Sequence, residues 1–265
     1  MDNPEHELSA IGLVKRLSRK LLGSAGYVVF NTRSRECYAC DSLFTSNNDG
    51  FRDAPLFKAA YARGLRANGG FDPQIEWRVH VALWVARVAS AVPGDFVECG
   101  VNAGFISSAI MHRLGWGNID KRFYLIDTFN GPVLTQYSQD EVHRGRFQVA
   151  EDAMARGAYV TSLDRVRANY AEWPNVEIVQ GVVPEVLPTL GIERVAFLHL
   201  DMNCAYPERA ALDHFWDVLS PHAMVLLDDY AYFGHDSLAD AIDSAAASLG
   251  TEVLSLPTGQ GLIVR

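Results

Sequence analysis

The sequence lacks any excess of positive charge: 23 Lys and Arg face 32 Asp and Glu, a net charge of −9 with His neutral. Binding nucleic acid in general needs a cationic field to meet phosphates, so this balance points away from DNA and RNA. Long hydrophobic runs are also missing. The longest, Val79 to Val92, is broken by His80 and Arg87 and is too short to span a bilayer. The first ten residues carry Asp2, Glu5 and Glu7, not the basic and then apolar pattern of a secretory leader, so a cytoplasmic protein is expected. Cysteine is scarce: Cys37 and Cys40 form a single C-x-x-C, with Cys99 and Cys204 far away. A structural zinc site needs a second pair or a nearby His pair, so Cys37 and Cys40 are read as reduced thiols of a surface loop. No internal repeat or low-complexity tract appears, which excludes solenoids and linker-rich architectures.

What is present suffices for a core. Of 265 residues, 49% are apolar and 21% charged, the balance of a globular chain with one or two domains. The pattern changes at Pro93-Gly94. Before it, Leu8, Ile11, Val14, Leu17 and Leu21 recur at helical spacing between Lys15, Arg16, Arg19 and Lys20, an amphipathic helix with a basic face. Such a helix packs on its own domain or on a second subunit, and a homo-oligomer is expected; membrane-surface binding is the alternative. Residues 31–55 are polar and read as a long loop, and Pro73 to Ala91 reads as a helix.

After Pro93-Gly94, strand candidates are Phe96–Cys99, Phe123–Asp127, Val176–Val179, Val195–Asp201, Met224–Asp228, Glu252–Leu256 and Leu262–Val264. Helical candidates Phe105–Leu114, Ser162–Glu172, Pro207–Leu219 and Ser237–Leu249 fill most gaps. This alternation implies an α/β fold with a parallel sheet between helices. The last two strands are joined only by Pro257–Gly261, too short for a crossover, so they should form an antiparallel hairpin. The polar stretch from Asn130 to Val160 breaks the rhythm and is expected to be a functional lid.

Ligands of open α/β sheets sit at the carboxyl ends of the strands. The first such end reads Val97-Glu98-Cys99-Gly100-Val101-Asn102-Ala103-Gly104-Phe105, with the spacing G-x-x-x-G. It is neither the dinucleotide G-x-G-x-x-G nor a phosphate-binding loop with Gly-Lys-Ser/Thr, which argues against a nicotinamide-dependent oxidoreductase. Glu98 would repel a pyrophosphate and could attract an amine. A purely structural strand-helix turn is the plain alternative. Asp127 ends the next strand, where a carboxylate can hold a ribose diol or merely cap a turn. Asp201, Asp228 and Asp229 stand at two further strand ends, and their mutual repulsion invites a hard cation such as Mg²⁺. The alternative is that Asp201 caps a helix and the Asp pair is solvated. His199 is read as a core histidine turned away from Asp201's face, and His235 as a possible substrate contact after the last parallel strand.

Several segments in order resemble a class I S-adenosylmethionine-dependent methyltransferase, and more narrowly the macrocin O-methyltransferase family. They are Ile75–His80, Gly94–Gly104, Asp127–Gly131, Leu227–Tyr230 and Leu256–Gly261, and the resemblance covers about residues 74–265. It implies a Rossmann-like, seven-stranded sheet of order 3-2-1-4-5-7-6 with the last strand antiparallel. It also implies methyl transfer from S-adenosylmethionine to a hydroxyl of a sugar, glycan or glycosylated natural product. By position, Glu98, Gly100 and Gly104 would line the methionine moiety, Asp127 would hold the ribose, and Gln180 and Gly181 would approach the adenine. Val101, Asn102, Phe105, Thr128 and Phe129 would complete the cofactor contacts. Asp201, Asp228 and Asp229 would hold Mg²⁺, with Asp201 as base and His235 in reserve. One departure is the run Asp201-Met202-Asn203-Cys204-Ala205-Tyr206, where the family often places a second acid and then Tyr. Residues 73–265 would be the methyltransferase domain, with the lid at 130–160, and 1–72 a helical and loop extension covering an oligomer or acceptor surface. Two alternatives remain: a non-catalytic cofactor-binding regulatory subunit, and a methyltransferase of phenolic hydroxyls.

Overall fold

A computed structural model describes residues 10–27 and 37–265. They divide into two compact units: residues up to Cys40 with Phe44–Asp49, and a larger body of Asp41–Leu43 and Gly50–Arg265.

The first unit contains α1 (Ala10–Ser24), where the amphipathic helix was expected, and Leu8 lies outside the described residues. Leu17 and Leu21 are exposed. The expected loop at 31–55 is corrected from residue 37 onward. It forms β1 (Tyr38–Cys40) and β2 (Leu43–Thr45), joined through Asp41 and Ser42 at φ 53° and 58°, and then a turn of 3-10 helix at Gly50–Asp53. Cys40 thus ends a strand. Asp tolerates the left-handed region and so favours such a reversal. Strands of three residues carry too little alternation to be read from sequence.

The body begins with α2 (Pro55–Ala67), which the sequence reading did not identify, and α3 (Glu76–Ala89). Pro55 opens α2 at its first turn, where its missing N–H costs nothing. The Tyr61 ring of α2 meets Phe105 edge-on at 5.1 Å, so α2 packs on α4 (Phe105–Leu114). The larger body thus includes α2 and α3 as well as the sheet.

The sheet contains β3 (Asp95–Cys99), β4 (Phe123–Asp127), β5 (Val176–Gln180), β6 (Val195–Leu200), β7 (Leu219–Leu227), β8 (Leu254–Ser255) and β9 (Gly261–Val264). Its order is β5-β4-β3-β6-β7-β9-β8, parallel except for β9, which runs antiparallel to β7 and β8. Fully buried Phe96, Phe123 and Phe197 interlock with Trp116 on one face, while Val97, Leu198, Val225 and Leu227 serve the other. Burying a Phe or Leu side chain contributes roughly 1.5–3 kcal/mol, so these two layers hold the strand ends in place. Helices α7 (Leu163–Tyr170), α8 (Ala205–Phe215) and α9 (Asp236–Ser248) complete the layers.

The segment 130–160 is more helical than a polar loop: it contains α5 (Gln139–His143) and α6 (Arg146–Ala155). Ser138 and Glu141 form a capping box at α5, and the other Glu141 oxygen accepts the Ala205 N–H at 2.9 Å. That buried carboxylate fixes the segment to the start of α8.

Candidate active site

Five strand ends line up because the ladder continues one residue beyond them. Backbone N–H groups of Gly181, Gly100, Asp201 and Asp228 donate to Asp127, Ile126, Cys99 and Leu200 across neighbouring strands. In sheet order the edge therefore reads Gly181, Asp127, Gly100, Asp201, Asp228. The closeness of the strands makes Gly100 obligatory: at φ 90°, a Cβ would lie 1.9 Å from the Asp201 carbonyl oxygen. Gly104 (φ 84°) is required for another reason than the expected approach to ligand. A Cβ there would strike the Tyr170 hydroxyl.

An open cleft of about 820 Å³, solvent at its mouth included, lies over this edge. Of the expected cofactor contacts, Gly100, Asn102, Asp127, Thr128 and Gly181 line it, as does Asp201. Val101, Gly104, Phe105 and Gln180 stand behind or beside that lining, and Phe129 is buried in the core. The 130–160 segment contributes Pro132, Val133, Gln136, Tyr137, Tyr159 and Val160 to the opposite wall. Asn102 joins the two walls, accepting the Val160 N–H at 2.8 Å and donating to the Ala158 carbonyl at 3.2 Å.

Asp127 accepts the N–H groups of Val101 (2.7 Å) and Asn102 (2.8 Å) on Oδ2 and that of Phe129 (2.7 Å) on Oδ1. Its first role is thus to hold the glycine loop against its own strand end while one edge faces the cleft.

Glu98 does not line the cleft. It is buried, with Oε1 2.8 Å from His199 Nδ1, while Nε2 of the same ring lies 3.6 Å from Asp228 Oδ1. Burial alone would discharge the imidazole, but Asp228 and Glu98 hold its pKa well above the usual range. The expectation that His199 turns away from Asp201 is corrected. Residues two apart on a strand share a face, and ligand atoms of His199, Asp201 and Asp228 lie within 4.8 Å of one another.

Burial pushes Asp228 upward as well, but Arg78 and His199 beside it and a hydrogen bond from Gln260 (2.8 Å) hold it well below the carboxylate range. For Asp201, burial with the Asp228 and Asp229 charges outweighs the opposing pull of His199 and Arg78 and raises its pKa strongly. Asp229 is pushed up to about 6 by burial and Asp228, and its Oδ2 is buried without a hydrogen-bond partner. It falls outside the 4.8 Å group. Glu208, pushed to about 8 by burial and Asp229, accepts the Met202 and Asn203 N–H groups at 3.0 Å and fixes the loop after Asp201. His235 precedes α9, buried and away from the cleft lining, and burial with nearby Arg146 pushes its pKa down to about 4.

This donor set suits a divalent cation. It leaves one orphaned buried carboxylate oxygen, on Asp229, and two carboxylates, Asp201 and Asp229, whose proton affinity is raised by burial and by neighbouring carboxylate charge. Arg78 and Gln260 received no role from the sequence, although both lie inside segments that carried the resemblance. Their place inside those segments was the available signal.

Residues 79–245 match the family model described as macrocin-O-methyltransferase (TylF). A curated relative from Streptomyces olivaceus, 8-demethyl-8-(2,3-dimethoxy-alpha-L-rhamnosyl)-tetracenomycin-C 4'-O-methyltransferase, is 29% identical over 81% of this chain and 87% of its own length. Mycinamicin III 3''-O-methyltransferase of Micromonospora griseorubida is 26% identical over 66% of this chain and 73% of its own. Among solved structures, the O-methyltransferase NovP superposes with a TM-score of 0.62 at 20% identity, covering 79% of this chain and 96% of its own.

Proposed function

Because the chain belongs to the macrocin O-methyltransferase family and is an O-methyltransferase, we propose that it methylates a hydroxyl of a sugar borne by a natural product, with Mg²⁺ held by Asp201, Asp228 and Asp229. The observation that carries this reading is Asp201 itself. It lines the cleft, stands one strand end from the glycine loop, and has a strongly raised proton affinity.

Bound S-adenosylmethionine supplies an electrophilic methyl on a sulfonium, so the chemical difficulty lies with the acceptor. An aliphatic hydroxyl is a poor nucleophile until its proton leaves. Asp201 accepts that proton as the O–CH₃ bond forms and the S–CH₃ bond breaks, leaving a neutral thioether. General-base catalysis of this kind contributes about 10²–10⁴-fold. A cation among these carboxylates would add positive charge beside the hydroxyl and keep Asp201 free of a resident proton. Asp127 orders the loop that faces the donor, and Asn102 ties that loop to the opposite wall at Val160. The rhamnosyl group in the name of one curated relative favours a glycoside over a phenol.

The test is methyl transfer from S-adenosylmethionine to a panel of rhamnosylated and other deoxysugar aglycones, beside simple phenols, followed by mass spectrometry. Methylation confined to the sugars supports the reading. Methylation of the phenols alone overturns it.

A further inference from the structure

Arg78 divides its guanidinium between two carboxylates. Nη1 lies 2.5 Å from Asp228 Oδ2, whereas Nε and Nη2 grip Asp41 at 2.8 and 3.1 Å. The Tyr232 hydroxyl donates to the same Asp41 at 3.0 Å, and its ring lies under the guanidinium at 5.4 Å. Both ends of the Arg78–Asp41 pair are mostly shielded from water, with 18% and 15% of the side chains exposed. Asp41 sits at φ 53° in the tight turn, and that turn belongs to the same compact body as the sheet.

A fork held at two N–H groups has one direction left for the third, which is Asp228. Paired with Asp41, it also presents little net charge to Asp228. Without Asp41, a bare guanidinium would stand against Asp228, binding it more tightly and repelling any cation nearby. We propose that Asp41 is a positioning residue for the active site: through Arg78 it orients Asp228 and cancels the guanidinium charge that would otherwise oppose a divalent cation there. The inference rests on the Mg²⁺ reading above. It gives the turn at Asp41 and Ser42 a part in the chemistry.

Opposite signs separate this role from a merely structural one. Removing negative charge in Asp41→Asn weakens the cation site, and removing positive charge in Arg78→Gln strengthens it, whereas general loosening would weaken both. Partners that orient metal-binding side chains typically alter metal affinity 10–100-fold. Mg²⁺ is titrated calorimetrically into full-length protein saturated with S-adenosylhomocysteine, with affinity for that product measured in parallel. The expected result is a Kd for Mg²⁺ raised about tenfold or more in Asp41→Asn and lowered in Arg78→Gln, with product affinity held within about twofold. Tyr232→Phe, which removes only the hydroxyl on Asp41, should shift the Mg²⁺ Kd a few-fold in the Asp41→Asn direction and remains informative if the charge variants fail to fold. Wild-type affinity for Mg²⁺ in folded Asp41→Asn and Tyr232→Phe, or equal shifts of one sign in Asp41→Asn and Arg78→Gln, would overturn the role of Asp41 and leave the cation site standing. A wild-type protein that binds no Mg²⁺ would overturn both.

Discussion

His199 Nδ1 stands 2.8 Å from Glu98 Oε1, with both residues sealed inside the sheet. On its other side the ring faces Asp228, so one imidazolium lies between two buried carboxylates. Losing it leaves buried charge uncompensated, at a cost of about 3–5 kcal/mol.

Substitution His199→Phe should therefore lower stability by about that amount, read from urea unfolding at several pH values. The folded pKa of His199 is raised, so its contribution is complete below the unfolded value near 6.5 and fades as pH rises through the folded one. The deficit against wild type should be large at pH 6–7 and shrink in alkali. A pH-independent deficit would mean that the ring acts by packing alone.

Asp127→Ala unties three backbone N–H groups from the strand end. One charge-assisted hydrogen bond is worth about 1.5–3 kcal/mol, so affinity for S-adenosylhomocysteine should fall about ten- to a hundredfold by calorimetry. Unchanged affinity, or preferred binding of NAD, would remove the cleft from this role.

Much of this was open to sequence reading, for physical reasons. Parallel strands covered on both faces write apolar runs, and the five-residue Pro257–Gly261 connection left only a hairpin, whereas the order of the strands came from the family resemblance and matches the one observed. Asp127 and Asp201 could be placed because strand ends are legible. Arg78 and Gln260 were not, because they meet Asp228 from 150 and 32 positions away and nothing local announces the encounter. The face of His199 was legible in principle, since a period of two puts residues 199 and 201 together. The helices of the 130–160 segment were hidden because they are short and bury little: a small cluster of Tyr137, Ala150 and Cys204, and the Glu141 contact with Ala205.

If residues 130–160 act as a lid, they should exchange backbone hydrogens more slowly when cofactor and acceptor are both bound, because they form one wall of the cleft. Asn102→Ala removes both bonds to Ala158 and Val160, so exchange across residues 157–161 should rise in the free enzyme. Equal exchange in free and ternary states would make the segment a fixed wall.

Cation binding should strengthen with pH. Asp229 is pushed up to about 6 by burial and Asp228. With a raised folded pKa, its contribution to stability is complete below its unfolded value near 4 and is lost as pH rises through 6. Mg²⁺ replaces the missing proton, so the rise in Tm on adding Mg²⁺ should be small at pH 5 and larger at pH 8. The reverse order would place the ion elsewhere.

Turnover with a glycosylated acceptor, measured in chelator and again with Mg²⁺ restored, tests the account most directly when cofactor affinity is followed in the same samples. Chelator should abolish methyl transfer while S-adenosylmethionine still binds. Asp201→Asn should lose about 10²–10⁴-fold in rate at every Mg²⁺ concentration. Full turnover in chelator, or an active Asp201→Asn enzyme, would contradict the account and leave methyl transfer to proximity alone.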